Sequence, residues 1–214
     1  MNKSLQVYTG SPGVKTDFSL LINNLSESLS KNPTLAMAYS FGCRQALLDA
    51  SHKKNESPLI LIAPYLFPTN SPSLIKKAVL RTPLLGDKVL SLLGPKSIKQ
   101  FLTDSSHPAP VTQAYRDQSK LYLAPKLLKK SILEKEVSDT ELAQSLKSIH
   151  TNKKICLIRG ENDKTSPFEE QIKPILENLN IREFIIPNAG HALIWTHPKE
   201  VAEIINNYLE KFYE

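Results

Sequence analysis

The sequence has few cysteines and no long apolar run, and each shortage excludes a class of protein. Its two cysteines, Cys43 and Cys156, cannot form a disulfide-rich framework. No apolar stretch approaches the ~20 residues of a membrane-spanning helix. The first residues lead into no apolar block, so no secretory leader is visible. We therefore expect a cytoplasmic protein.

The chain also lacks the patterns that hold metals, nucleotides or nucleic acids. Its His, Cys, Asp and Glu residues do not occur at the spacing of zinc ligands. Its seven glycines form no phosphate-binding loop. Aromatic residues are not interleaved with the lysines, so nucleic acid is not an expected partner. We expect no metal and no cofactor.

What the sequence does contain is a serine between a predicted strand and a predicted helix. An apolar run over 34–38 leads to Ser40, and a helix-compatible run over 43–50 follows at once. The small residues Ala38 and Gly42 lie two positions either side of the serine, as required where a strand and a helix nearly touch. This pattern is the nucleophile elbow, G-x-S-x-G, with alanine for the first glycine. Alone, it could equally be a serine at a helix N-cap.

Two further reactive side chains follow predicted strands near the C-terminus. A strand over 154–160 runs into a polar loop that carries Asp163, and a strand over 183–187 precedes His191. Catalytic groups of open α/β sheets collect at the carboxyl ends of the strands. We therefore expect Ser40, Asp163 and His191 to meet at that edge of the sheet.

Three other residues compete for these roles. Glu161 shares the loop of Asp163 and could be the acid instead. His197 could be the base, but it does not follow a strand directly. Cys43 is an alternative nucleophile, although its position on the elbow helix favours a buried apolar role, which we also expect for Cys156.

The order Ser, Asp, His resembles the α/β-hydrolase family, in its esterase and lipase-like branch. The resemblance rests on AYSFG around Ser40, GENDKTSP around Asp163 and NAGHALIWTHP around His191. It implies that Ser40 is the nucleophile, His191 the base and Asp163 the acid that orients the imidazole. The implied reaction is cleavage of a carboxylic ester or thioester through an acyl-enzyme. An aspartate at position 40 would have resembled dehalogenases and epoxide hydrolases, and the serine argues against both.

The resemblance implies an α/β fold class: a mostly parallel sheet with helices on both faces, shortened at the N-terminus, plus an inserted helical cap. Only one strand, over 5–8, precedes the elbow strand, so the first two strands of the usual sheet and one more are expected to be missing. Residues 1–67 and 151–214 would form the core and 68–150 the cap. The predicted cap helices cover 73–80, 86–93, 98–102, 111–123, 125–136 and 139–149.

An oxyanion hole needs two backbone N–H donors. The resemblance gives Phe41, the residue after the nucleophile, as one of them. The loop over 9–13 resembles either the family's oxyanion loop or its later D-x-P-G-x-G-x-S stretch. Because a crossover sets parallel strands near one another, the first strand should lie beside the elbow strand, which brings Ser11 close to Ser40 as the second donor. The loop could also be a plain turn, leaving a non-catalytic hydrolase-like binding protein or a split-enzyme fragment.

Substrate and partner expectations follow from aromatic residues and charge. Tyr39, Tyr65 and Phe67 are predicted to line the substrate pocket. The net formal charge is +8 over 68–154 and −2 over the rest. A basic cap is either a solvated face or a surface that attracts an anionic partner. The candidate partners are an acyl-thioester on coenzyme A or on a carrier protein, and an anionic lipid surface. A sheet edge left open by missing strands could be covered by a second subunit, so a homodimer is also open.

Overall fold

The computed structural model describes residues 4–8, 18–22, 25, 34–52, 57–67, 74–82, 84–120, 129, 133, 139–149, 154–166, 168, 173–176 and 179–213. The elements in chain order are β1 (Ser4–Tyr8), α1 (Ser19–Ile22), β2 (Thr34–Tyr39), α2 (Gly42–His52), β3 (Leu59–Ile62), α3 (Leu74–Arg81), α4 (Leu85–Ser106), α5 (Gln113–Lys120), α6 (Asp139–Ser148), β4 (Ile155–Gly160), α7 (Lys173–Leu176), β5 (Ile181–Ile186), α8 (Leu193–Thr196) and α9 (Pro198–Tyr213).

The five strands of the described residues form one parallel sheet in the order β1-β2-β3-β4-β5. The predicted neighbourhood of the first strand and the elbow strand is confirmed, since Val7 lies opposite Met37. Tyr39, the last residue of β2, lies opposite Ile62, the last residue of β3. All strands therefore end at the same edge of the sheet, where the loops with the candidate catalytic residues begin.

Alternate residues of the three central strands, β2, β3 and β4, are buried against opposite helical layers, which confirms the prediction of helices on both faces. On β2, Met37 and Tyr39 belong to a core shared with α1, α8 and α9. Ala38 belongs to the other core, shared with α2, α6 and α7. This two-residue period is what a strand buried on both faces requires. The small side chain of Ala38 lets α2 lie close to the sheet directly after the turn at Ser40.

The described residues between β3 and β4 form four helices, α3 to α6, with loops between them, but two predicted helices are in fact one. Residues 86–93 and 98–102 were predicted as separate because Pro95 lies between them. The structure has a single 22-residue helix, α4, with Pro95 inside it. Proline costs about 3 kcal/mol within a helix, and the buried residues Leu90, Gly94 and Leu102 anchor both halves against the rest of the fold.

The last described helix of this segment packs on the core. Leu142 and Leu146 of α6 are buried in the same cluster as Leu47 of α2. The predicted helix over 125–136 lies almost wholly outside the described residues. The boundary of a separate cap at residues 68–150 stays a prediction. None of the helices in the described ranges combines the length and apolar character of a membrane-spanning segment.

Candidate active site

Ser40 occupies a strained turn between β2 and α2. Its φ angle is 52°, in the left-handed region that serine rarely adopts. Three backbone hydrogen bonds hold it there: the Ser40 N–H donates to the Ile62 carbonyl (2.9 Å), and its carbonyl accepts from Cys43 and Tyr65 (3.1 Å each). Strain of this kind persists only where the surroundings enforce it, and it clusters at functional sites. The turn has the geometry of a nucleophile elbow.

The three side chains predicted to meet do meet. Ser40 Oγ lies 2.7 Å from His191 Nε2, and His191 Nδ1 lies 2.8 Å from Asp163 Oδ2. The side chains of His191 and Asp163 are only 1% and 6% exposed. A carboxylate can only accept, so His191 Nδ1 carries the proton and donates it to Asp163. Nε2 is then free to accept a proton from the Ser40 hydroxyl.

The acid is held by the loop that follows β4. Asp163 Oδ1 accepts the N–H groups of Thr165 (2.9 Å) and Ser166 (3.1 Å). Its two oxygens therefore have separate tasks, one toward the loop and one toward the imidazole. Glu161, the alternative acid, is exposed and accepts the N–H of Asn188 instead. The geometry favours Asp163.

The histidine loop after β5 is held close to the C-terminal end of α4. The Ala192 N–H donates to the Ser105 carbonyl (2.9 Å). A Cβ atom on Gly190 would lie 2.6 Å from that same oxygen, so only glycine permits this approach. The Tyr39 hydroxyl donates to the His191 carbonyl (3.2 Å). These contacts fix the backbone that carries the imidazole.

Comparisons by sequence give no match, whether with family profiles or with curated proteins. Comparisons by structure do. An alpha/beta hydrolase fold protein from Burkholderia ambifaria matches 96% of this chain and 90% of its own at 13% identity, with a TM-score of 0.66. The haloalkane dehalogenase DbeA from Bradyrhizobium elkani USDA94 matches 99% and 91% at 12% identity, with a TM-score of 0.63.

A candidate lipase (lip1) from Acinetobacter baumannii AYE also matches, over 98% of this chain and 84% of its own, at 18% identity and a TM-score of 0.62. The chain has the α/β-hydrolase fold. At these identities the likeness concerns the fold and not the reaction.

Within this hydrolase fold, Tyr39 is a buried residue beside the candidate catalytic histidine. Its side chain is 4% exposed, and its ring packs edge-on to Trp195, 5.3 Å between centroids. Its hydroxyl supports the His191 loop. A substrate contact for Tyr39 stays a prediction.

The other predicted pocket residues lie beside the elbow. Tyr65 and Phe67 are partly buried on the loop after β3, and the ring of Tyr65 lies 6.3 Å from that of Phe41. The N–H of Phe41, the predicted oxyanion donor, donates to no other backbone group among the described residues. Ser11, the other predicted donor, lies outside the described residues. Substrate and oxyanion roles for Tyr65, Phe67, Phe41 and Ser11 stay predictions.

Arg44 is a buried charge next to the elbow that the sequence reading missed. It is 1% exposed, and its guanidinium donates to the Leu66 carbonyl and to Asp139 Oδ1, the latter at 2.7 Å. The same group lies 5.0 Å from the Phe41 ring centroid and 5.9 Å from that of Phe67. Arg44 therefore links the elbow, the loop after β3 and the start of α6. The sequence did hold a signal for this burial, because Arg44 lies three residues before Leu47 and therefore on the apolar side of α2.

Two of the alternatives weighed from the sequence have other partners. His197 Nδ1 lies 2.8 Å from the Thr196 hydroxyl rather than from Ser40. Cys43 is fully buried, with its Sγ 3.9 Å from the Ile62 carbonyl. Burial raises the pKa of the Cys43 thiol above its usual range, which keeps it protonated and unreactive. The geometry therefore favours His191 over His197 as the base and Ser40 over Cys43 as the nucleophile.

Proposed function

We propose that the protein is a serine hydrolase that cleaves a carboxylic ester or thioester through an acyl-enzyme on Ser40. One observation carries the proposal: an unbroken series of hydrogen bonds from Ser40 to His191 to Asp163, at the carboxyl edge of the sheet. A serine hydroxyl is a weak nucleophile, and a base within hydrogen-bond reach is what activates it.

The proposed reaction has two halves, acylation of Ser40 and hydrolysis of the acyl-enzyme, and His191 transfers protons in both. His191 Nε2 takes the Ser40 proton while Oγ attacks the carbonyl carbon of the substrate. The oxyanion formed there is stabilised by the Phe41 N–H and by a second donor, for which the predicted residue is Ser11. The imidazolium then gives its proton to the leaving alcohol or thiol. Water, deprotonated by His191, attacks the acyl-enzyme. The bond between the acyl carbon and Ser40 Oγ then breaks, His191 returns the proton to Oγ, and the carboxylic acid is released.

The chemistry of the nucleophile favours acyl transfer over the dehalogenation named for one of the structural neighbours. A serine that displaced a halide from an alkyl carbon would be left as an ether, which has no carbonyl for water to attack. A serine that attacks an ester or thioester is left as an ester, which His191 and water can hydrolyse. The serine at position 40 therefore supports hydrolysis of an ester or thioester, the kind of reaction that a lipase performs.

The experiment is a panel of p-nitrophenyl esters and acyl-thioesters of rising acyl length, with Ser40→Ala as control. The proposal predicts turnover of at least one series by the wild type and its loss in Ser40→Ala. Turnover that survives in Ser40→Ala would contradict it. Binding of the substrates without turnover by the wild type would favour the alternative of a non-catalytic hydrolase-like protein.

A further inference from the structure

Apolar side chains are concentrated on the outer surface of α4. Of the six exposed large hydrophobic residues in the described part of the chain, five lie on α4 or directly before it. Leu84 and Leu92 are 78% and 79% exposed, and Leu93 is 62% exposed. Single exposed leucines are ordinary, but a group on one helix marks an interaction surface.

The helical period places these leucines in line with lysines. Positions 85, 88, 92, 96 and 99 are spaced by three or four residues, so they follow one stripe along α4. All of them are exposed, whereas Leu90, Gly94 and Leu102 on the opposite side are buried. We call the stripe and its neighbour Leu93 the Leu/Lys face, which consists of Leu85, Lys88, Leu92, Leu93, Lys96 and Lys99.

The Leu/Lys face is purely cationic. Its three lysines have no acidic partner among the described residues. The two acids of α4 are engaged elsewhere: Asp87 pairs with Lys129 at 3.6 Å, and Asp104 accepts a hydrogen bond from Gln100 at 2.8 Å. The face therefore combines exposed apolar area with three positive charges that no acid in the described part of the chain pairs with.

The composition of the Leu/Lys face favours a membrane over a second copy of the chain or another protein as its partner. A second copy packed leucine to leucine would bring the lysines of both copies together, which is repulsive. Protein interfaces favour Trp, Tyr and Arg as anchors and are depleted in lysine. Leucine with lysine on a convex helix is instead the composition of a segment that lies in the plane of a membrane surface, with the lysine heads among anionic headgroups.

We propose that the Leu/Lys face of α4 docks the protein on anionic lipid membranes. The leucines enter the boundary between headgroups and acyl chains, and Lys88, Lys96 and Lys99 contact the anionic headgroups. The C-terminal end of the same helix contacts the His191 loop through the Ser105 carbonyl. Docking would thus hold the Ser40 site near the lipid surface, although docking itself does not depend on the proposed hydrolysis.

The test is co-sedimentation of the full chain with vesicles of non-hydrolysable ether lipids, either all phosphatidylcholine or with 30% phosphatidylglycerol. We compare wild type with Lys88→Gln/Lys96→Gln/Lys99→Gln and with Leu85→Ser/Leu92→Ser/Leu93→Ser. A matched control, Lys147→Gln/Lys199→Gln/Lys211→Gln, removes the same charge from exposed lysines elsewhere. Far-UV circular dichroism checks that each variant is folded. Ser40→Ala is included to separate docking from catalysis.

We expect wild type and Ser40→Ala to bind the anionic vesicles at least tenfold more strongly than the neutral ones. The lysine variant should lose at least tenfold in binding, because each lysine near an anionic surface contributes about fivefold. The leucine variant should also lose at least tenfold, because it removes the apolar side chains that enter the membrane. The control triple should lose less than threefold. Equal loss in the control triple, or no binding by folded wild type, would overturn the proposal. So would a wild-type dimer in gel filtration that the leucine variant abolishes.

Discussion

Exchanging the Asp163 carboxylate for an amide should nearly abolish catalysis without disturbing the fold. In Asp163→Asn, the Thr165 and Ser166 N–H groups still require an acceptor at the Oδ1 position. The amide carbonyl must therefore keep that place, and the NH2 group must face His191 Nδ1. Because an NH2 group donates, Nδ1 has to accept, and the ring proton moves to Nε2. That nitrogen can then no longer take the Ser40 proton.

The size of the loss follows from the tautomer of His191, because only the form with its proton on Nδ1 can act as the base. We expect kcat to fall about 10⁴-fold, which corresponds to about 5 kcal/mol of transition-state stabilisation. The assay is hydrolysis of the best ester of the panel, with the melting temperature measured in parallel. Since the backbone hydrogen bonds are kept, the melting temperature should shift by only a few degrees.

Glu161→Gln is the matched control, because Glu161 lies in the same loop but is exposed and accepts the Asn188 N–H rather than contacting His191. It should keep kcat within about threefold. A kcat for Asp163→Asn within tenfold of wild type would refute this reasoning. So would an equal loss in Glu161→Gln, since the loss would then not be specific to the hydrogen bond between Asp163 and His191.

Three further predictions concern the elbow and its surroundings. Ser40→Gly should be more stable to urea than Ser40→Ala by about 1 kcal/mol, since only glycine tolerates φ 52° without strain; equal stabilities would argue against a strained turn. Burial raises the pKa of the Cys43 thiol above its usual range and that of Cys156 to about 12, so neither should react with iodoacetamide at pH 9 until the protein is unfolded; fast native labelling would contradict this. Arg44→Met and Asp139→Asn should each destabilise by about 2–3 kcal/mol, the first because it removes a buried donor to the Leu66 carbonyl and the second because it leaves the buried Arg44 guanidinium without a carboxylate; a loss below about 0.5 kcal/mol in either variant would contradict this.

The sequence predicted the parts of the site that depend on local order along the chain. Ser40, Asp163 and His191 each follow a strand, and parallel strands end at one edge, so their convergence needed no knowledge of packing. The place of β1 beside β2 followed in the same way from the short crossover between them.

The remaining features depend on contacts between residues distant in sequence. The burial of Tyr39 depends on Trp195 and the His191 carbonyl, which lie far along the chain. Arg44 looks like a surface residue until α6 brings Asp139 against it. Pro95 predicted a break because the packing that keeps α4 continuous is not visible in local sequence.

The central claim is that the Ser40 hydroxyl is a nucleophile activated by His191. Its most direct test is incubation with a fluorophosphonate probe, followed by peptide mapping with mass spectrometry. The account predicts one adduct, on Ser40, that His191→Ala abolishes and that His197→Ala leaves unchanged. No adduct on the folded wild type, an adduct on another residue, or labelling of His191→Ala at the wild-type rate would contradict it.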